Sequence, residues 1–370
     1  MNNEKPISRN FLNKKKINLF FNQKQKKKIQ IKKIEKNIWK LVIILLLIIC
    51  LILVNFFFNI KNYTLTEIPT RNELIFIVCM FGKDTLKSDH RLRRYFYTLN
   101  TFLPHSNIVL AVSEFTIIEP DLINYQNINI SVEKYRNETF ENIRRKYRYN
   151  GAGHFYYSGM RSSFYVNYLK EHPEIKYVVI SDDDTLFFRD PFQLIVEDPS
   201  AVHIMEDIYP FSKTNDGNYK WTNAWVELNN STKLRCGFKV FNNTLLSNEI
   251  KDLIPLNSGL MIGTANNIIK LNDLISSRFL CSGMFPENAE QGLLNYLDLS
   301  GELKELDFPI HRHNLYNGSL LSCPDLLPIE NYTQQINSDH IIAVHHYNNL
   351  GAHYIIQSPI LFQTVFNIKF

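Results

Sequence analysis

The chain has 370 residues, 45% of them hydrophobic and 21% charged, an ordinary globular composition that excludes low-complexity and collagen-like classes. Its formal net charge of +5 is unevenly spread: residues 1–40 hold thirteen Lys or Arg against two Glu, a net of +11, so the remainder carries 5 − 11 = −6. The folded part is therefore mildly acidic, and the basic character belongs to one tail.

Within it the stretch "KQKKKIQIKKIEK" lacks the aromatics that a nucleic-acid stacking platform interleaves with its lysines, and an apolar run follows soon after. It reads as a solvated cytosolic tail that sets membrane topology, with no nucleic-acid partner. The run "LVIILLLIICLILVNFFFNI", Leu41 to Ile60, contains no charge. As a helix it spans ~30 Å, the thickness of a bilayer's hydrocarbon core. Phe56, Phe57, Phe58 and Asn59 stand where a cleavable leader needs small residues, so the segment reads as an uncleaved signal anchor over 41–60. Trp39, Lys40 and Lys61 flank it as interfacial anchors do. The excess of lysine before the span predicts a single-pass type II orientation, with residues 61–370 in a lumen or outside the cell. Sequons at Asn62, Asn129, Asn137, Asn229, Asn230, Asn242, Asn317 and Asn331 all follow the span; they are compatible with that side, although a chain rich in Asn also produces them by chance. Cys50 lies in the span. Cys79, inside an apolar run, reads as a packed thiol, and Cys236, Cys281 and Cys323 are open to pairing in a compartment that permits disulfides.

Residues 61–72 read as a short stem and residues 73–370 as one domain. "ELIFIVCMF", Glu73 to Phe81, predicts a buried strand bounded by Gly82, and "SDHRLRRYFYTLNTFL" a helix capped by Ser88 or Asp89. "NIVLAV" is the next strand. The order strand, helix, strand marks an α/β sheet with parallel pairing. The stretch from Glu114 to Gly153 is irregular and rich in Asn, Tyr and Arg. A helix is predicted over "SGMRSSFYVNYLKEHPEI", ending near Pro173, followed by the strand "KYVVI". Later strands are predicted at "SAVHIM" and "SGLMIG", and later helices at "TANNIIKLNDLISS" and "ENAEQGLLNYLDL".

Asp182, Asp183 and Asp184 follow "KYVVI", between two apolar runs. Like charges repel, and apolar flanks make the region hard to hydrate. A bound divalent cation removes that objection. In open α/β sheets ligands bind beyond the carboxyl ends of strands, where this strand delivers the aspartates. If the segment stays extended, Asp182 and Asp184 face one way and Asp183 the other, so D-x-D forms a two-oxygen clamp suited to Mg²⁺, Mn²⁺ or Ca²⁺. A plain acidic turn is the alternative, and the apolar flanks favour the metal.

In this setting "VVISDDDTLFFRDPF" resembles the D-x-D segment of GT-A fold glycosyltransferases, which use nucleotide-sugar donors. "PLNSGLMIG" resembles the N-[ST]-G strand of the retaining families 8 and 77, "AEQGLLNYL" their D-Q-x-x-x-N helix, and "IIAVHHYNN" their late His segment. The four motifs occur in the family's order, between about Leu74 and Asn349. The resemblance implies a GT-A-like α/β fold: a mixed, mostly parallel sheet flanked by helices, here preceded by the single transmembrane helix. It implies that Asp182 and Asp184 bind Mn²⁺ (or Mg²⁺) bridged to the donor's diphosphate, with Asp183 at the nucleotide-sugar. His346, or His345 one register away, would be a further metal ligand. Arg161 would face the nucleotide-sugar, Asn257, Ser258 and Gly259 would line the sugar pocket, and Glu290 and Gln291 would lie beside the donor sugar. Two departures stand out. Glu290 replaces the family's Asp, and "NNLGAHY" stands where a Lys-Pro-Trp is usual, leaving the diphosphate without its basic residue; Arg91, Arg94 and His353 are candidates to replace it.

The implied function is a metal-dependent glycosyltransferase of the Golgi membrane (or ER), using a UDP-linked donor and a glycan, glycoprotein or glycolipid acceptor. An inverting enzyme would need a base, for which Glu206, Asp207 and Glu290 are candidates; the resemblance favours retention. Trp221 and Trp225 are equally readable as acceptor-stacking or core residues. A non-catalytic sugar-binding or scaffolding subunit is the alternative from a different class. A phosphoesterase needs more His and Asp ligands than can be assembled here.

Overall fold

The computed structural model describes residues 38–50, 69–86, 90–139, 142, 153–207, 209–232, 236–282, 289–313, 319–322 and 342–345. The chain forms two units, Met1–Glu67 and Ile68–Phe370. In the first, residues 38–50 are helical, and Leu41 to Ile49 expose their apolar side chains. Residues 51–60, the second half of the expected span, lie outside the described residues. Among the described residues no helix is long and apolar enough to cross a membrane.

The second unit is α/β. In chain order its elements are β1 (Leu74–Met80), β2 (Thr85–Leu86), α1 (His90–Phe102), β3 (Asn107–Ser113), β4 (Ile117–Ile118), β5 (Asn129–Tyr135), α2 (Gly153–Glu171), β6 (Tyr177–Ser181), β7 (Thr185–Phe187), α3 (Phe192–Glu197) and β8 (Val202–Glu206). They continue with α4 (Gly217–Thr232), β9 (Leu256–Thr264), α5 (Ala265–Ser282), α6 (Ala289–Leu299), β10 (Ile310–His313), β11 (Leu320–Ser322) and β12 (Ala343–His345). The main sheet has seven strands in the order β10-β8-β9-β6-β1-β3-β5. Its neighbours are parallel except β9, which runs antiparallel to both β6 and β8. The expected mixed, mostly parallel sheet flanked by helices is thus present.

The central strands are continuous apolar runs because both faces are covered. The two-residue alternation assigns them to separate cores. Ile77, Val109, Val178 and Ile180 pack with α2, α4, α5 and α6, whereas Phe76, Val78, Leu110 and Val179 pack with α1 and α3. Trp225 is fully buried among Phe238 and Phe279, which resolves it as a core residue. Cys236 and Cys281 form a disulfide that ties the segment after α4 to the end of α5. Cys79 is a free, half-buried thiol, and Cys323 lies outside the described residues.

One expectation about local structure is corrected, and one helix is added. The stretch from Glu114 to Gly153, expected to be irregular, contains β5, which pairs with β3 over seven residues from Asn107↔Asn129 to Ser113↔Tyr135. Polar residues break this edge strand into short alternation rather than a continuous apolar run, since among the described residues no strand pairs with its far side. The helix α4 is not evident from the sequence because "GNYKWTNAWVELNNST" is rich in Asn, a poor helix former; packing of Trp225, Val226 and Leu228 overrides that preference.

Candidate functional site

The reversed strand β9 creates the site. Because it runs against β6, its first residues lie beyond the carboxyl end of β6: Ser181 pairs with Leu260, and the Asp182 N–H donates to the Gly259 carbonyl at 2.8 Å. The D-x-D and N-S-G segments, far apart in the chain, are thereby hydrogen-bonded neighbours. A second sheet adds the third segment. The strand after the aspartates, β7, pairs antiparallel with β12, and Thr185 stands opposite His345. His345 is therefore placed by its backbone one register position from Asp184. His346 and His353 lie outside the described residues.

The aspartates do not form an extended clamp. The Thr185 N–H donates to the Asp182 carbonyl at 3.1 Å, closing a turn, so the strand's alternation stops at Ser181. In consequence Asp182 pairs with Arg161, while Asp183 and Asp184 both face Arg91. The Arg91 Nε lies 3.3 Å from Asp183 Oδ2, and its Nη1 lies 3.3 Å from Asp184 Oδ2.

Arg161, on α2, bridges two motifs. Besides its ion pair with Asp182, its Nε and Nη2 donate to Glu290 Oε2 at 3.1 and 2.9 Å. Ser162 Oγ donates to the other oxygen, Oε1, at 3.2 Å. Glu290 opens α6, where a carboxylate complements the helix dipole, and it is almost wholly buried. Burial pushes its carboxyl above the usual range, against the pull of Arg161. Burial also opposes the charge on Arg161, but Asp182 and Glu290 outweigh it and hold the guanidinium firmly protonated. Cys79 and Tyr165 adjoin this group, and burial pushes both up, so neither is a ready nucleophile.

A neutral chain of side chains continues from there. Gln291 Oε1 accepts from the Ser258 N–H at 3.3 Å, and its Nε2 donates to Asn218 Oδ1. Asn218 Nδ2 in turn donates to Asp207 Oδ2 at 2.7 Å, just past the end of β8. Asn257 turns its Oδ1 inward to accept the Gly259 N–H at 2.8 Å, fixing the strand entry. Asn295 clamps α6 to β9 by accepting the Leu256 N–H at 2.7 Å and donating to the Leu256 carbonyl at 2.9 Å. Gly292 lets α6 approach α4: a Cβ there would sit 2.6 Å from the Trp221 carbonyl oxygen. Trp221 is only half-buried, at the margin of this group, whereas Glu206 is drawn away to Arg312 at 2.6 Å on the β10 edge.

The structure thus joins Asp182, Arg161, Glu290, Gln291, Ser258, Gly259 and Asn257 in one connected group. Asp183 and Asp184 lie beside it, on Arg91. Ser162 and Asn218 are members that the sequence does not announce: Ser162 bears no motif, and Asn218 lies on a helix that the pattern does not reveal. Among the described residues no three His, Cys, Asp or Glu side chains are arranged to hold a metal ion. The donors at hand are carboxylate oxygens from the aspartate turn, a set that fits hard divalent cations such as Mg²⁺ or Mn²⁺. The chain matches no family model and no curated protein sequence.

Proposed function

We propose that the chain is a metal-dependent glycosyltransferase with a GT-A-like domain. It transfers a sugar from a nucleotide-sugar donor, UDP-linked and with retention, to a glycan, glycoprotein or glycolipid acceptor. The proposal includes a transmembrane anchor over residues 41–60 and a type II orientation in the Golgi membrane or ER. One observation carries it. Three motifs picked out separately along the chain meet beyond the carboxyl end of β6, through Arg161 bridging Asp182 and Glu290 and through Asp182 bonded to Gly259. The backbone of the fourth, at His345, pairs beside them.

In this reading Asp182 and Asp184 hold Mn²⁺ or Mg²⁺, with His345 or His346 as a further ligand. The ion, when bound, supplies Lewis-acid stabilisation to a departing diphosphate. Arg161 fixes the orientation of Glu290, and Gln291, Asn257, Ser258 and Gly259 shape the pocket for the sugar. The carboxylates considered as bases are engaged: Glu290 with Arg161 and Ser162, Glu206 with Arg312, Asp207 with Asn218. That supports retention, which needs no base on the acceptor side.

The test uses the full chain in detergent with Mn²⁺ and a panel of UDP-galactose, UDP-glucose, UDP-xylose and GDP-mannose. Nucleotide release is followed with and without chelator, beside an Asp182→Ala/Asp184→Ala variant. The expected result is release from one donor, abolished by chelator and by the variant. Absence of release together with absence of metal-dependent nucleotide binding would sink the proposal in favour of a non-catalytic sugar-binding or scaffolding subunit.

A further inference from the structure

Eight sequons follow the apolar run, and three of them, at Asn129, Asn137 and Asn242, have described side chains. A glycan is bulky and must stand in solvent. It is carried by the side-chain Nδ2, where it replaces one of two hydrogens. What surrounds that nitrogen therefore decides which sequon can bear one.

At Asn137 the nitrogen faces the fold. Nδ2 donates to the Tyr135 hydroxyl at 3.1 Å and to Ser163 Oγ at 3.0 Å. Ser163 is buried on α2, and the Tyr135 hydroxyl lies 3.2 Å from its Oγ and accepts from Asn167 Nδ2 at 2.9 Å. These polar groups join the end of β5 to α2, and a sugar on Asn137 Nδ2 would stand in that junction. Asn137 Oδ1 accepts the Thr139 N–H at 3.1 Å, so the sequon itself is folded into a turn that holds the amide there.

Asn242 is placed the other way. Phe241 and Leu245 are buried in the core, Phe241 against Tyr296 of α6 with ring centroids 6.3 Å apart. Between these two anchors Asn242, Asn243 and Thr244 are all exposed, in backbone that belongs to no helix or strand. The whole tripeptide is thus held out in solvent by an apolar pin on each side. Asn129 is intermediate: it is exposed, but it opens β5, and its Nδ2 donates to Asn107 Oδ1 at 3.1 Å.

We infer that Asn242 is a glycan-bearing residue of the folded protein and that Asn137 is not, its amide being a structural link between β5 and α2. The inference rests on the proposed placement of residues 61–370 in the lumen. The donor there is an oligosaccharide on a polyprenyl diphosphate. The Asn242 nitrogen bonds to the anomeric carbon, the bond from that carbon to the diphosphate oxygen breaks, the amide gives up one proton and the polyprenyl diphosphate leaves. Attachment to a chain still entering the lumen precedes folding, so the fold acts by selection. A chain modified at Asn137 cannot close the β5–α2 junction, whereas one modified at Asn242 folds with its sugar in solvent.

The experiment expresses the full chain in cultured human cells and isolates the folded fraction in detergent. Peptide N-glycosidase in heavy-oxygen water leaves a labelled Asp wherever a glycan stood, and peptide mass spectrometry reads each sequon. Label is expected at Asn242 in most molecules and only at background at Asn137. Asn242→Gln and Thr244→Ala should each remove one glycan's worth of gel mobility and leave the thermal unfolding curve unchanged. Thr139→Ala, which destroys the other sequon but keeps the Asn137 amide, should leave gel mobility unchanged, and Asn137→Ala should lower the unfolding midpoint by a few degrees. A labelled Asn137 in the folded fraction, a midpoint that Asn137→Ala does not move, or a bare Asn242 beside other labelled sequons overturns the inference and leaves the lumenal placement standing. A chain without label at any sequon overturns both.

Discussion

Replacing Arg161 with Met removes the charge that faces Glu290 while keeping most of the apolar stem. Glu290, at 1% exposure, loses its bonds at 2.9 and 3.1 Å and, among the described residues, keeps Ser162. Leaving a buried charge uncompensated costs about 3–5 kcal/mol. The carboxyl can instead take up a proton. Holding it protonated at pH 7, against its ordinary value of 4.5, costs about 3.4 kcal/mol at about 1.36 kcal/mol per unit. The cheaper route caps the outcome, and because Glu290 is already raised in the wild type, Arg161→Met is expected to lose at most about 3 kcal/mol at pH 7. The sign with pH follows from linkage. A carboxyl raised in the folded state keeps a proton that the unfolded chain releases, so stability falls as pH rises from 4.5 through the raised value. The loss relative to wild type should therefore shrink to no more than about 1.4 kcal/mol at pH 5.5. Urea unfolding of the full chain in detergent at both pH values, followed by tryptophan fluorescence, measures this. Arg161→Met/Glu290→Gln should recover most of the loss at pH 7. A deficit below about 1 kcal/mol at pH 7, or one that does not change with pH, would refute the account of a buried, Arg161-dependent carboxylate.

Further outcomes test the frame around the site. Gly292→Ala gains helix propensity of about 1 kcal/mol but forces α6 off the Trp221 backbone by about 0.7 Å, so a net loss of about 1 kcal/mol or more is expected in urea unfolding, with weaker nucleotide binding as Gln291 shifts. Cys281→Ser opens a loop with a sequence separation of 45, and chain entropy sets the loss near 4 kcal/mol, read from the shift in urea midpoint. His313 is held down to about 4 by burial and by His203 and His311, and His203, also lowered, adjoins His311, which pairs with Asp198. The unfolded chain takes up protons first as pH falls below 6.5, so His313 should cost the fold about 2 kcal/mol at pH 5; His313→Asn should flatten that slope in urea unfolding at pH 7 and 5.

The elements that position the site are mostly legible in the amino-acid sequence. β1, β3, β6 and β9 are apolar runs of strand length, and α5 and α6 have helical spacing, because burial on one face or two leaves a local imprint. The aspartate turn is legible for the same reason: charges between two buried runs need an explanation that hydration does not provide. The edge strand β5 and the Asn-rich α4 are not, since one lacks the continuous apolar run of the central strands and the other is held by Trp225 packing rather than by propensity.

By itself, then, the sequence determined the α/β class, the cores of the strands and the chemical character of four segments. Local periodicity and composition carry that information. Only the tertiary structure decided that β9 runs antiparallel between β6 and β8, which brings Asn257, Ser258 and Gly259 onto Asp182. It also decided that Arg161 meets Glu290, 129 residues away, that Asp183 shares Arg91 with Asp184, and that Cys236 joins Cys281. Strand direction and such distant contacts are fixed by packing two cores around one sheet, a balance over the whole unit that no single stretch of residues encodes.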